Sequence, residues 1–178
     1  MYKRHLLITG LPGTGKTTLL IRLARRLTDH HTAGFYTEEI RIGGNRQGFR
    51  LLSLDGREGI LAHIAFHGSN RVGRYGVDIK GFERFLGDLD MAEAPASLIF
   101  IDEIGKMECM SPNYVALLRK LFDSEKTVIA TVASKGAGFI AEVKGRLDCE
   151  IREVTMANRE KLVEELARWI MDHAVQMK

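Results

Sequence analysis

The segment Gly10–Thr17 reads G-L-P-G-T-G-K-T. It matches the Walker A pattern G-x-x-x-x-G-K-[ST] without a gap, between a short apolar run, His5–Thr9, and a segment of helical periodicity. A strand, a glycine-rich turn and a helix in this order form a phosphate-binding loop. The glycines let successive backbone N–H groups point at phosphate oxygens, and the helix N-terminus adds the positive end of its dipole.

Two side chains of this loop have predicted roles. Lys16 is expected to reach the β- and γ-phosphates of a nucleotide, and the Thr17 hydroxyl is expected to ligate Mg²⁺. The predicted phosphate cradle comprises Gly10, Leu11, Pro12, Gly13, Thr14, Gly15, Lys16 and Thr17.

Strands and helices alternate outside this loop, which predicts an α/β sheet. Leu98–Ile101 is a continuous apolar run of the kind found in a central strand that is covered on both faces. The other predicted strands of this kind are His5–Thr9, Thr127–Val132 and Ile151–Thr155. Four helices are predicted before the last strand: Lys16–Asp29, a helix capped by Asp78 that ends at Leu89, a helix from Ser111 to Phe122, and Phe139–Val143. A terminal helix is predicted from Met156 onward. Its apolar stripe consists of Leu162, Leu166, Trp169, Ile170, His173 and Met177.

The segment after the first helix has a different pattern, with short apolar runs separated by glycine-containing turns. Gly34–Arg41, Gly48–Leu54 and Gly59–Phe66 are typical of short strands, separated by the turn signals Gly43-Gly44-Asn45 and Asp55-Gly56. Connections this short require antiparallel pairing. The following stretch, Gly68–Gly76, is rich in glycine and is expected to be a loop.

Two carboxylates follow the apolar run at Leu98–Ile101, as in a Walker B segment. They stand where the strand ends, which is the edge at which ligands bind in open α/β sheets. We expect Asp102 to hold Mg²⁺ and Glu103 to orient or deprotonate an attacking water. Glu108 is a weaker alternative candidate for the acidic residue of the site, because its position depends on a loop of unknown shape.

Phosphoryl transfer also needs positive charge near the γ-phosphate. Arg71 and Arg74 are the favoured candidates, because a glycine-flanked loop is able to close over a ligand. If either stabilises the transition state, its loss should lower kcat at least tenfold. Weaker candidates are Lys106, Lys135, Arg146 and Arg159, and the pair Asn158-Arg159 is a candidate contact for a base or ribose.

The composition excludes several classes of protein. The 178 residues carry 26 Lys and Arg against 23 Asp and Glu, a formal net charge of +3. We expect one domain, residues 1–178. A net charge this small, with both signs mixed along the chain, argues against nucleic-acid binding. No apolar run approaches the roughly 18–20 residues that cross a bilayer, and the two cysteines, Cys109 and Cys149, are predicted to be reduced thiols. We therefore expect a cytoplasmic protein with no membrane partner, and the sequence does not identify a protein partner.

With these motifs in hand, the sequence resembles the P-loop nucleoside-triphosphatases of the thermophile type, a family with a human relative called cancer-related nucleoside-triphosphatase. Beside the phosphate loop, the blocks G-F-Y-T-E-E-I-R, R-V-G-R-Y-G-V and I-D-E-I-G-K-M-E carry this resemblance, which covers essentially the whole chain. These blocks are Gly34–Arg41, Arg71–Val77 and Ile101–Glu108, with Gly10–Thr18 and Glu153–Arg159 as the outer two.

The resemblance implies a Rossmann-like or RecA-like three-layer sandwich, mostly parallel and extended by the antiparallel meander. It also implies Mg²⁺-dependent hydrolysis of ATP, GTP and other nucleoside 5′-triphosphates to diphosphate and phosphate. Nucleotide contacts are implied at the phosphate loop and at Leu98, Ile99, Phe100, Ile101, Asp102, Glu103, Ile104 and Gly105.

Two alternatives remain open at this point. A small nucleotide or nucleoside kinase would use Lys135, Lys144 and Arg146 as a basic lid over an acceptor. A nucleotide-gated switch would bind tightly and hydrolyse well below the usual rate of about 1–10³ s⁻¹.

Overall fold

The computed structural model describes residues 2–174. Within that range, nine strands form one sheet, and five α-helices and one 3₁₀ turn, Glu108–Met110, cover it. The strands are β1 His5–Thr9, β2 Thr32–Ile42, β3 Asn45–Ser53, β4 Glu58–His63, β5 Arg71–Val72, β6 Tyr75–Val77, β7 Leu98–Ile104, β8 Thr127–Val132 and β9 Cys149–Glu153. The helices are α1 Lys16–Arg26, α2 Ile79–Leu89, α3 Pro112–Phe122, α4 Phe139–Lys144 and α5 Arg159–Ala174.

The sheet has a parallel half and an antiparallel half. Its strand order is β5-β6-β4-β3-β2-β7-β8-β1-β9, and the pairs from β2 to β9 are parallel. From β2 outward to β5 each pair is antiparallel, as the short connections require. Because β8 lies between β1 and β7, the phosphate loop and the acidic end of β7 stand one strand apart.

Helices cover both faces of the parallel half, which makes three layers. Alternate residues of a strand point to opposite faces, and in β1 this separates Leu6 and Ile8 from Leu7. Leu6 and Ile8 are buried with the apolar stripes of α1 and α5, whereas Leu7 is buried with those of α2, α3 and α4. The predicted three-layer P-loop sandwich with an antiparallel extension is confirmed.

Local signals in the sequence fix several of these boundaries. The Asp78 side chain accepts a hydrogen bond from the Gly81 N–H at 2.9 Å and caps α2. In α3, Ser111 caps the Tyr114 N–H at 3.0 Å, and Pro112 takes the first position, where no N–H is needed. The predicted bounds of β1 and β8 are confirmed.

Other boundaries were predicted wrongly. The stretch Gly68–Gly76 is not a plain loop, because it contains the hairpin β5–β6. A two-residue turn joins these strands, with Gly73 in its first central position at a φ of +58°. Strands this short show no period-two pattern that a sequence could reveal.

The final strand and helix are also displaced from their predicted positions. The strand β9 begins at Cys149, because it pairs with β1 from His5 opposite Cys149 to Thr9 opposite Glu153. The helix α5 begins at Arg159, after a turn that Asn158 stabilises through its own side chain. Met177, predicted to extend the apolar stripe of this helix, lies outside the described residues.

In the part of the chain from residue 2 to residue 174, no helix combines the length and the apolar character needed to cross a membrane. Cys109 and Cys149 are both free thiols.

Candidate active site

The candidate site lies at the carboxyl ends of the parallel strands, where open α/β sheets bind ligands. The phosphate loop follows β1, and Asp102 and Glu103 stand in the last part of β7. The two strands that flank β7, β2 and β8, each add a threonine at the same edge: Thr37 and Thr131.

Close approach and backbone conformation fix the shape of the phosphate loop. A Cβ atom on Gly10 would lie 2.5 Å from the Val154 carbonyl oxygen, so a larger residue would push the loop away from its neighbour. Gly15 caps α1 in the left-handed conformation, with a φ of +98°. The Lys16 ammonium donates to the Gly10 carbonyl at 3.1 Å and therefore lies over the loop.

Asp102 is the centre of the hydrogen-bond network. Its side chain is almost fully buried, and its Oδ2 accepts from the Thr17 hydroxyl at 2.9 Å. The same oxygen accepts from Thr37 through the hydroxyl at 2.9 Å and the backbone N–H at 3.2 Å, while Oδ1 accepts from the Thr131 hydroxyl at 2.5 Å. One carboxylate thus joins α1, β2, β7 and β8.

Sequence reasoning assigned no role to Thr37 or Thr131. Thr37 stands in the block G-F-Y-T-E-E, and Thr131 is fully buried in the otherwise apolar end of β8. A buried polar side chain needs a partner, so a hydroxyl in that run was the available signal for Thr131. Nothing in the sequence says that its partner is Asp102.

Glu103 and Glu108 form a second acidic group beside Asp102. A Cβ atom on Gly105 would lie 2.7 Å from Glu103 Oε1 and 2.8 Å from Glu108 Oε2, so both carboxyl groups flank the same glycine. The Tyr114 hydroxyl donates to the Glu103 backbone carbonyl at 3.1 Å and fixes the chain at this point. The two carboxyl groups therefore occupy one small region at the end of β7.

Their environments separate the two glutamates chemically. Burial, and then the charge of Asp102, raise the pKa of Glu103, while Lys16 acts in the opposite direction. Burial, and then the charge of Glu103, raise the pKa of Glu108 to about 8. At neutral pH Glu108 is therefore mostly protonated, and Glu103 is the better candidate for a base.

An open cleft of about 330 Å³ lies in front of these acids. Its polar side is formed by Thr17, Thr37 and the three acids, and Glu39 and Lys106 add charges of opposite sign. Its apolar side consists of Phe49 from β3, Val72 from β5 and Met107. The unpredicted hairpin thus reaches the site through Val72.

The structure brings some predicted cations to this cleft and not others. Lys106 lines it. Arg71 instead donates to the carbonyl oxygens of Phe66 and Arg74 at 3.1 and 2.7 Å, and Arg74 donates to that of Arg46 at 2.6 Å. Neither of these two arginines is among the residues that line the cleft.

The cations of the proposed lid also have partners. Lys144 donates to the Ser134 carbonyl at 2.8 Å. Arg146 forms ion pairs with Asp123 and Asp148 at 2.9 and 2.8 Å.

Nucleotide contacts were also predicted for the segment that begins at Leu98 and for Arg159, and the structure places these two differently. The side chains of Leu98 through Ile101, and of Ile104, are buried in the core, so the polar end of that segment alone faces the cleft. Arg159 lies beside the phosphate loop, with its Cδ 3.6 Å from the position of a Cβ on Gly15.

Comparison with known proteins places this site in a family. The family model described as NTPase matches residues 5–167, a range that holds the phosphate loop and both acidic groups. The chain belongs to the NTPase family. Membership makes the protein an enzyme of that family, as the sequence predicted.

Several curated relatives are similar over most of their length. The nucleoside-triphosphatase THEP1 of Thermotoga maritima is 44% identical over 162 residues, which cover 90% of this chain and 92% of that protein. The human cancer-related nucleoside-triphosphatase is 35% identical, with 92% of this chain and 94% of that protein covered.

Solved structures of the NTPase family agree with the fold described above. The crystal structure of THEP1 from Aquifex aeolicus superposes with a TM-score of 0.82 at 31% identity and covers 93% of this chain and 98% of that one. The solution structure of a human cancer-related nucleoside triphosphatase gives a TM-score of 0.80 at 32% identity, with 95% and 98% covered.

Proposed function

We propose that this protein hydrolyses nucleoside 5′-triphosphates, including ATP and GTP, to the diphosphate and phosphate in a Mg²⁺-dependent reaction. The observation that carries the proposal is the 2.9 Å hydrogen bond between Thr17 and Asp102. It joins the loop that would hold the phosphates to the strand end that would act on the terminal phosphate. The names of the relatives support the same activity.

Thr17 and Asp102 are the residues that would hold the metal. Both offer oxygen atoms, the ligand type that Mg²⁺ prefers, and Mg²⁺ is commonly bound by one or two carboxylates together with substrate phosphates. When bound, the ion would neutralise charge on the phosphate oxygens. The contacts of Thr37 and Thr131 hold the Asp102 carboxylate in a fixed orientation.

The other steps belong to the chain's own groups. The N–H groups of the loop and the Lys16 ammonium bind the β- and γ-phosphates. Glu103 orients a water, whose oxygen bonds to the γ-phosphorus as the bond from that phosphorus to the bridging oxygen breaks. The proton of the water passes to the Glu103 carboxylate. The protonated Glu108 is unsuited to this role at neutral pH.

The kinase alternative keeps one supporting observation. The cleft continues past the acids along Phe49, Val72 and Met107, where an acceptor could lie. Against it, Lys144 and Arg146 of the proposed lid are engaged by Ser134, Asp123 and Asp148. The role of Arg71 or Arg74 at the γ-phosphate stays a prediction. It would require Arg71 to leave two backbone carbonyl partners and Arg74 to leave one.

A turnover panel tests the proposal. Release of free phosphate from ATP, GTP, CTP, UTP and ITP is measured with and without Mg²⁺, and with and without candidate acceptors, for the natural protein and for Lys16→Ala. We expect Mg²⁺-dependent phosphate release without an acceptor and its loss in Lys16→Ala. Phosphorylation of an acceptor at the expense of free phosphate would favour the kinase. Tight binding with very slow release would favour the switch.

We also propose a cytoplasmic location, which the two free thiols support.

A further inference from the structure

The topology of the sheet sets the direction in which a bound nucleotide extends. The phosphate loop follows β1, which has β8 and then β7 on one side and β9 on the other. Asp102 and Glu103, which would face the terminal phosphate, both belong to the β7 side. A nucleotide with its last phosphate at these acids therefore directs its nucleoside toward the β9 side.

On that side, the turn between β9 and α5 is attached directly to the phosphate loop. The Val154 N–H donates to the Thr9 carbonyl at 2.8 Å, and the Val154 carbonyl leaves no space for a side chain on Gly10. The Arg159 side chain crosses close to Gly15. Loop and turn therefore form one continuous surface.

Large side chains with little cover project from this surface. Leu11, in the phosphate loop, and Met156, in the turn, are each 64% exposed. The Arg159 guanidinium lies 3.6 Å from the Met156 sulfur and forms an ion pair with Glu160 at 3.6 Å. An apolar surface and a planar cation thus stand side by side.

The side-chain amide of this turn, Asn158, could read the edge of a base, but both of its polar atoms are already hydrogen-bonded. The Asn158 Oδ1 accepts from the Thr155 N–H at 2.8 Å, and its Nδ2 donates to the Glu153 carbonyl at 2.9 Å. The remaining groups, an isobutyl, a thioether and a guanidinium, are suited to the flat face of a ring. Every purine and pyrimidine presents such a face.

We propose that Leu11, Met156 and Arg159 form a nucleobase site that contacts the ring face and accepts purines and pyrimidines alike. This inference rests on the proposed function, because it takes the ligand to be a nucleotide on the phosphate loop. Such a site would discriminate little between bases, a property that the phosphate contacts leave open.

Binding without turnover tests this site. Dissociation constants of ADP, GDP, CDP and UDP, and of pyrophosphate as a ligand without a base, are measured for the natural protein and for a double variant, Met156→Ala with Arg159→Ala. We expect all four nucleotides to bind at least about fivefold more weakly, since a cation–π contact contributes about 1 kcal/mol. Pyrophosphate should change less than about twofold, because it makes no base contact.

Two further variants separate loss of the base contact from damage to the fold. Arg168→Ala removes an exposed arginine of α5 about 13 Å further along the helix axis and should leave every constant unchanged. Met156→Ser alters one exposed side chain and should weaken the four nucleotides in the same direction as the double variant.

Unchanged nucleotide binding in the double variant would overturn the inference. A loss of affinity confined to one base would also overturn it, because it would indicate recognition of the edge of that base. An equal loss of affinity for pyrophosphate would overturn it as well, because it would indicate that Arg159 contacts a phosphate. This experiment measures binding and no hydrolysis. If the proposed activity is wrong, the nucleotides would still bind normally, and the turnover panel would show no release of phosphate.

Discussion

At the scale of single residues, the site depends on hydroxyl groups that orient one buried carboxylate. Lys16, Thr17, Asp102 and Glu103 could be predicted because each stands in a contiguous pattern with a known chemical use. Thr131 could not, because its contact with Asp102 joins positions 29 residues apart on different strands. Such a partnership is determined by strand order, which no local pattern contains.

Replacing Thr131 by valine should destabilise the protein. The change keeps the shape of the side chain and removes the 2.5 Å hydrogen bond to Asp102 Oδ1. A buried acceptor that loses its donor costs about 1–3 kcal/mol, so we expect a loss of that size in the free energy of unfolding, measured with urea. Thr127→Val, at the opposite end of the same strand, is the matched control. Equal losses in the two variants would mean that the bond to Asp102 contributes nothing.

At the scale of elements, the pairing of β2 with β7 brings Thr37 to Asp102. This pairing requires an unusually close approach at Gly34, which lies opposite Phe100 and has a φ of +137°. A Cβ atom there would lie 1.9 Å from the Phe100 carbonyl oxygen. The two strands cannot keep their spacing with any larger residue at this position.

Gly34→Ala should therefore disturb both stability and the site. We expect a loss of more than about 2 kcal/mol in unfolding free energy, because strain and a backbone clash act together. Gly56→Ala isolates the strain, since Gly56 has a φ of +93° but nothing within 4 Å of a Cβ position. Its expected cost is about 1 kcal/mol, the penalty for an L-residue in a left-handed backbone conformation. If chemical denaturation gives Gly34→Ala no greater loss than Gly56→Ala, the close approach does not constrain the sheet.

The elements also show where sequence patterns lose their predictive value. Long apolar runs and capped helices were predicted well because several residues carry each signal. The hairpin β5–β6 was missed because Arg71–Val72 and Tyr75–Val77 are too short for any periodicity. Its importance comes from its place in the sheet, where Val72 reaches the cleft of the active site.

At the scale of the whole molecule, Glu108 links stability to pH. Its folded pKa of about 8 lies above the ordinary value of 4.5, so the folded protein keeps a proton that the unfolded chain releases. The contribution of Glu108 is fully present below about pH 4.5 and is lost as the pH rises toward 8. This follows because deprotonation would leave a buried charge close to Glu103 and Asp102.

Glu108→Gln should remove that dependence. Urea unfolding at about pH 5 and about pH 8 should show a variant that gains stability relative to the natural protein as the pH rises. Glu125→Gln, at an exposed position, serves as the control and should keep a constant difference. A constant difference for Glu108→Gln as well would contradict a raised pKa at this residue.

If this site hydrolyses a nucleoside triphosphate with Glu103 acting on the water, loss of the Glu103 carboxylate must slow turnover. The most direct test measures free phosphate released from ATP with Mg²⁺ by Glu103→Gln, alongside the affinity of the same variant for ATP. General base catalysis contributes about 10²–10⁴-fold, so we expect a loss of at least about 100-fold in turnover with affinity nearly unchanged. Undiminished phosphate release by Glu103→Gln would rule out this role of Glu103.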